Sequence, residues 1–324
     1  MTWLVWRQHR KQLLFAVAAL VVLGAFFIGT GRPMHDRYER AGLPDCLPEA
    51  EKAPVVVDLG DAPGVPGGVD NAPAQDTPEL DDATLADARC LQHARAFFDD
   101  YENVMFVGLL LLVLPMLAGM FWGAPLVARE VEHGTHRLVW TQGVSRLRWA
   151  ATKIGVVTIA ALVITAIYAG MLTWWITPVI ETSEQGFSYI FFDLQGMVVF
   201  GYVLFALALG VFAGAVTGRL LPAMATIIVG FIGMRLVVML AARDRYMATE
   251  TRRLPFLDTE YPTMRNDLNG DWIMASHASA GTEVLTIHPA RHFWAFQTIE
   301  TTIFIALAIA LLIGSMYWVR RRIT

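Results

Sequence analysis

The chain is short of charge. Only 17% of its 324 residues are Asp, Glu, Lys or Arg, against about a quarter in an ordinary soluble domain. What charge there is stands between long apolar runs, at 13–28, 104–127, 154–176, 191–216, 222–242 and 298–319. Runs of roughly 18 residues or more can cross ~30 Å of hydrocarbon, so a soluble globular protein is excluded. Catalytic signatures are missing as well. There is no Gly-x-x-x-x-Gly-Lys-Ser/Thr phosphate loop, so the chain cannot hydrolyse ATP on its own. His-Glu-x-x-His, Gly-x-Ser-x-Gly and a pair of intramembrane aspartates are also absent, which argues against an intramembrane protease or lipid-modifying enzyme. No metal site is expected. His133 and His136 beside Glu130 and Glu132, and His288 and His292 around Pro289, each fall short of a third ligand at suitable spacing. No nucleic-acid partner is expected either.

Cysteine is nearly absent too. The two present, Cys46 and Cys90, fall near opposite ends of one polar segment, 32–102. That confinement points to a disulfide in an oxidising compartment, with two free thiols as the alternative. The middle of the segment, 54–78, is rich in proline and glycine and reads as a flexible loop. Residues 81–100 are more helix-compatible. At the start of the chain, Trp3, Trp6, Arg7, Arg10 and Lys11 suit an interfacial helix over 1–12. The apolar run that follows reads as an uncleaved span, since 29–32 offers no small-x-small cleavage pattern.

The pattern predicts an all-α integral membrane protein of six transmembrane helices. A large outer loop, 32–102, separates helices one and two, and another, 243–297, separates helices five and six. Six crossings put both termini, the stretch 128–153 and Arg219 on one side. That side holds about twelve Lys or Arg and two acids, which the positive-inside rule makes cytoplasmic. The third run ends in Trp174, Trp175 and Pro178, read as an interfacial anchor and a stop. In the fourth run Gly210, Gly214 and Gly218 share one face at four-residue spacing, a seam for close helix packing. Spacing leaves open whether that seam lies within one chain or between two. Arg235, inside the fifth run, is read as a cavity residue, a partner of Glu300, or a snorkelling structural arginine.

The island of charge at 128–153 carries the strongest signal. Gly134 can close one helix, Thr135 can cap a short helix over 136–142, and Ser145 can cap the next. Two turns are too few to be stable alone, so this helix needs a surface to hold it. Leu138, Val139 and Trp140 give it an apolar side for another protein. Arg129-Glu130-x-Glu132-x-Gly134-Thr135-x-x-Leu138, with Thr141-x-x-Val144-Ser145-Arg146 and Lys153, resembles the cytoplasmic signature of ABC exporter permeases of the type-2 family. His288-Pro289-Ala290-Arg291-His292-Phe293-Trp294 with Gln297 and Glu300 resembles the start of the last span in bacterial members. His136 and Arg137 stand where the family is usually more acidic.

The resemblance implies a single six-span permease domain over 1–324, multi-pass in a bacterial plasma membrane and without catalysis of its own. It implies a partner ATPase subunit in two copies, which binds the ATP and Mg, while this chain binds no cofactor. It implies a second permease copy, expected as a homodimer. Arg129, Glu130, Glu132, His133, Thr135, Arg137, Leu138, Trp140 and Arg146 become the candidate ATPase-docking residues. Met116, Met120, Phe205, Met234 and Arg235 are the candidate cavity residues, since Met and aromatic side chains make an adaptable apolar surface. The expected cargo is hydrophobic or amphipathic. The competing reading is a membrane-anchored sensing or binding protein that acts through its outer loop.

Overall fold

The computed structural model describes residues 2–50, 82–101, 103–132, 146–182, 187, 189–255, 270–279 and 282–322. The chain is predominantly helical, and six of its helices are long and apolar enough to cross a membrane. In order, the elements are α1 (Thr2–Arg40), α2 (Leu43–Ala50) and α3 (Asp82–Tyr101), then a second span made of α4 (Val104–Leu111), α5 (Leu114–Ala118), a π-helical turn (Gly119–Gly123) and α6 (Ala124–Glu132). There follow α7 (Arg146–Thr182), α8 (Tyr189–Leu194), α9 (Val198–Thr217) and α10 (Leu220–Val237), which ends in a second π turn (Val238–Ala242). Strands β1 (Glu250–Pro255), β2 (Trp272–Ser279) and β3 (Thr282–His288) precede α11 (Phe293–Arg322).

Several of these bounds depart from the sequence reading. The segment 1–12 is not a separate interfacial helix but the first three turns of α1. No glycine or proline occurs before Gly24, so nothing interrupts the helical ladder there. The third span does not stop at Trp174–Trp175; α7 continues past Pro178 to Thr182. Packing explains the difference. Trp175 is buried, stacks on Phe27 with centroids 4.9 Å apart, and donates from its indole N–H to Thr30 Oγ1 at 2.9 Å. It is a core residue that welds α7 to α1, not an anchor at the interface. In the outer segment 243–297 the strands form an antiparallel sheet in the order β1-β3-β2, with Leu285 and Ile287 buried two apart along β3.

Helix α9 is the axis of the bundle, with most of its residues buried. It packs most extensively on α11, then on α6 and α10. Its glycine seam lies within the chain. A Cβ on Gly210 would stand 2.6 Å from the Gly119 carbonyl oxygen and 2.7 Å from the Ala124 nitrogen. One on Gly214 would stand 2.8 Å from the Ala124 oxygen, so the two backbones touch directly. Gly218 has a different job: at φ +62° it ends α9, its N–H bonded to the Gly214 carbonyl at 3.1 Å. We expect Gly210→Val to force α9 off α6 and cost about 1–3 kcal/mol. The check is the melting temperature of the detergent-solubilised chain, which a merely lipid-facing glycine would leave unchanged.

The sheet end of the bundle is tied together by polar and aromatic contacts. Cys46 and Cys90 form a disulfide that joins α2 to α3, with Cα atoms 5.9 Å apart. The proline-rich middle of that loop, 54–78, lies outside the described residues. Tyr38 donates to Glu181 at 2.6 Å, and Arg37 pairs with Asp100. Phe187 sits among Phe192, Trp272, Phe293 and Phe296, linking the α7–α8 connection to the sheet and to α11.

Candidate functional site

At the opposite end, the second span runs on as α6 to Glu132, and α7 begins at Arg146. Of the expected docking residues, Arg129 is exposed on the last turn of α6. A carboxylate oxygen of Glu132 accepts the backbone N–H of Leu220 at 3.2 Å. Leu220 is the first residue of α10, so an acid here also meets the positive end of that helix's dipole. The end of the second span is thereby fastened to the start of the fifth. Glu130 lies on α6 and Arg146 opens α7. His133, Thr135, Arg137, Leu138 and Trp140 lie outside the described residues.

A cavity of about 630 Å³ opens between α1, the second span, α7, α9 and α10. It falls within the usual size of small-molecule sites. Of the five expected cavity residues, Met120 lines it. Met116 and Met234 pack instead against the main hydrophobic core, and Phe205 is buried between Phe231 and Phe304, 6.2 and 5.3 Å away by centroid. Pro115, Phe121, Trp122, Tyr168 and Met224 line the cavity too, with Lys11 and Arg129 its charged members. Composition alone did not separate these from core residues, because a Met or aromatic at helical spacing serves either place.

Arg235 belongs to a buried ion network. It pairs with Asp193 and lies over the Tyr202 ring, 4.5 Å from its centroid. Arg243 pairs with the same aspartate at 2.6 Å and with Glu300 at 2.7 Å, and it also lies 4.5 Å above the Phe192 ring. Two arginines thus face two carboxylates. The Tyr202 hydroxyl sits between the acids, 2.7 Å from Asp193 and 2.6 Å from Glu300, and donates to one of them at a time. Of the roles open to Arg235, that of partner to Glu300 belongs instead to Arg243. Arg243 had been assigned to the outer loop, but the second π turn carries the helix on to it. Asp193 was missed although it stands within the apolar run 191–216, where an acid is costly unless paired.

Beside the network, Gln297 donates to the Phe192 carbonyl and accepts the Val198 N–H, both at 2.9 Å. It fixes the corner between α8 and α9, where Gly196 turns at φ +69° and a Cβ would strike the glutamine oxygen at 2.7 Å. At the rim, burial and the Glu300 carboxylate push the Tyr246 hydroxyl well above its ordinary pKa. His288, fully buried at the end of β3, is held below its ordinary 6.5 by burial, with Asp244 acting the other way and His292 adding to the fall. The fold therefore favours neutral His288, while the unfolded chain takes up a proton below pH ~6.5. Stability should fall as pH drops through that region, and His288→Gln should flatten the decline. Melting temperatures measured from about pH 8 to pH 5 would read it.

Six apolar helices, one of them buried at the centre of the other five, with charged links at both ends, define a multi-pass membrane protein. Residues 68–243 match the family model described as ABC-2 membrane transporter related. That match covers more than half the chain, which therefore belongs to this family and is the membrane subunit of an ABC transporter. Membership implies association with an ATPase subunit. No curated protein and no solved structure matches the chain.

Proposed function

We propose that this chain couples ATP hydrolysis by a separate nucleotide-binding subunit to export of a hydrophobic or amphipathic compound. The observation that carries the reading is the family match from 68 to 243, which encloses the charged stretch 128–153 between two spans. ATP and Mg bind the partner, since this chain has no phosphate loop of its own. Both termini and the 128–153 stretch face the cytoplasm, where the basic residues concentrate. Two permease copies, identical to one another, sit over two ATPases.

Docking uses the segment from Arg129 to Arg146. Leu138 and Trp140 supply the apolar anchors that hot spots favour, while Glu130, Arg137 and Arg146 supply charged rim contacts of smaller effect. ATPase closure moves the docked segment, and the Glu132–Leu220 bond and the glycine seam support transmission to α10 and α9. Replacing Leu138 and Trp140 together with serine should abolish co-purification of the ATPase. The melting temperature of the permease should stay within a degree or two, as expected of side chains that serve the docking surface alone. Retained ATPase in the double variant would remove the docking assignment. A preparation with no nucleotide hydrolysis would remove the transport reading itself.

A further inference from the structure

The cavity beside α1 is charged in one sense only. Lys11 and Arg129 are the ionised side chains on its wall, and no Asp or Glu lines it among the described residues. Both belong to the Glu132 end of the bundle, while the wall beyond them is apolar, with Leu20, Leu23 and Pro115. From Lys11 to Leu23 the helix rises about 18 Å. One leaflet of a ~30 Å hydrocarbon core is roughly 15 Å deep. The groove is thus about as long as a single lipid tail and carries its cations at headgroup level.

Its shape agrees with that scale. Toward the sheet end α1 closes on α7: a Cβ on Gly24 would stand 3.0 Å from Met171 Cε, and one on Gly31 would strike Trp175 at 2.9 Å. Toward the other end the cavity opens beside α1, and a hydrogen bond from Gln12 Nε2 to the Phe121 carbonyl at 3.2 Å ties α1 to the second span across it. Phe15 lines the groove yet is 76% exposed, so the opening is lateral, toward the membrane. A water-soluble ligand has no need of a lateral door one leaflet deep.

We propose that this groove binds one anionic phospholipid taken from the leaflet on the Lys11 side. The phosphate sits between Lys11 and Arg129, and an acyl chain lies along Leu20, Leu23 and Pro115. A zwitterionic lipid is disfavoured because its own cationic headgroup is repelled by both basic residues and meets no carboxylate among the described residues of the wall. Binding of this kind is independent of nucleotide and does not require the lipid to be cargo.

The test is native mass spectrometry of the full chain, purified in detergent and offered phosphatidylglycerol or phosphatidylcholine with identical acyl chains. Near a membrane surface each basic residue favours anionic lipid by roughly fivefold. Wild type should therefore retain phosphatidylglycerol over phosphatidylcholine by about twentyfold, Lys11→Gln should lose roughly fivefold of that preference, and Ala16→Trp should block both lipids. Equal retention of the two lipids by wild type would overturn the proposal. So would an undiminished preference in Lys11→Gln, or a disulfide cross-link between two copies carrying Phe15→Cys, which would put a second chain in the opening. Lys11 is the informative position because it lies outside the docking segment. ATPase co-purification measured on the same samples separates the two readings: its loss with lipid preference intact counts against docking alone.

Discussion

Arg243→Met should destabilise the solubilised chain by about 3–5 kcal/mol, the usual cost of removing one partner from a buried ion pair. Methionine fills much of the same space, so the loss is electrostatic and not a cavity. Arg243 is 1% exposed and the side chains of both its carboxylate partners are almost as deeply buried. Without it, Asp193 and Glu300 face one another through Tyr202, and Arg235 is the one cation left beside them among the described residues. Arg235→Leu should cost distinctly less, because its side chain is 16% exposed and Arg243 still holds Asp193. Combining Arg243→Met with Glu300→Gln should recover part of the loss, since the second change removes the charge that the first left stranded. Unfolding midpoints for the four proteins would decide the matter. A cost for Arg243→Met under about 1 kcal/mol would mean that the network contributes little to stability.

Cys46→Ser with Cys90→Ser should cost about 2–4 kcal/mol. The bridge closes a sequence separation of 44 residues, for which chain entropy alone gives roughly 4 kcal/mol as an upper figure. The realised value should be lower, because α3 is held by other contacts as well. Ala94 and Phe97 belong to the main core, Phe97 meets Tyr38 edge-on at 5.7 Å, and Asp100 pairs with Arg37. Wild type in a strong reductant should melt where the double variant does, and the variant should be indifferent to reductant. If reductant left the wild-type midpoint unmoved, the bridge would have no part in holding α2 and α3 together.

The six crossings were legible because an apolar run of membrane length has few other uses. The glycine spacing in α9 was legible for a similar reason, though only packing could place Gly210 against Gly119 within one chain. The ends of helices were less visible. Trp174 and Trp175 look alike in sequence, yet Trp175 is buried against Phe27 while Trp174 remains 39% exposed and stacks on His35. The sheet was not anticipated because the large apolar residues of 272–288 stand in adjacent runs (Trp272-Ile273-Met274, Val284-Leu285) separated by Ala, Ser, His and Thr, and strand alternation fades in such a pattern. Asp193 offered a clear signal, an acid within an apolar run. Its two arginine partners lie 42 and 50 positions further along the chain, a pairing that no local pattern encodes.

The enclosure of α9 also bears on how the molecule is made. This helix is as apolar as its neighbours, but it is synthesised before α10 and α11, which supply much of its cover. A ribosome therefore delivers it to the bilayer while Glu300, which meets Tyr202 and Arg243, is still uncoded. Asp193 must wait until the fifth span brings Arg235 and Arg243, and the Tyr202–Glu300 contact must wait for the final helix. Chains truncated before 290 should accordingly be recognised as incomplete and degraded, whereas loss of a few residues from the far end of α11 should be tolerated.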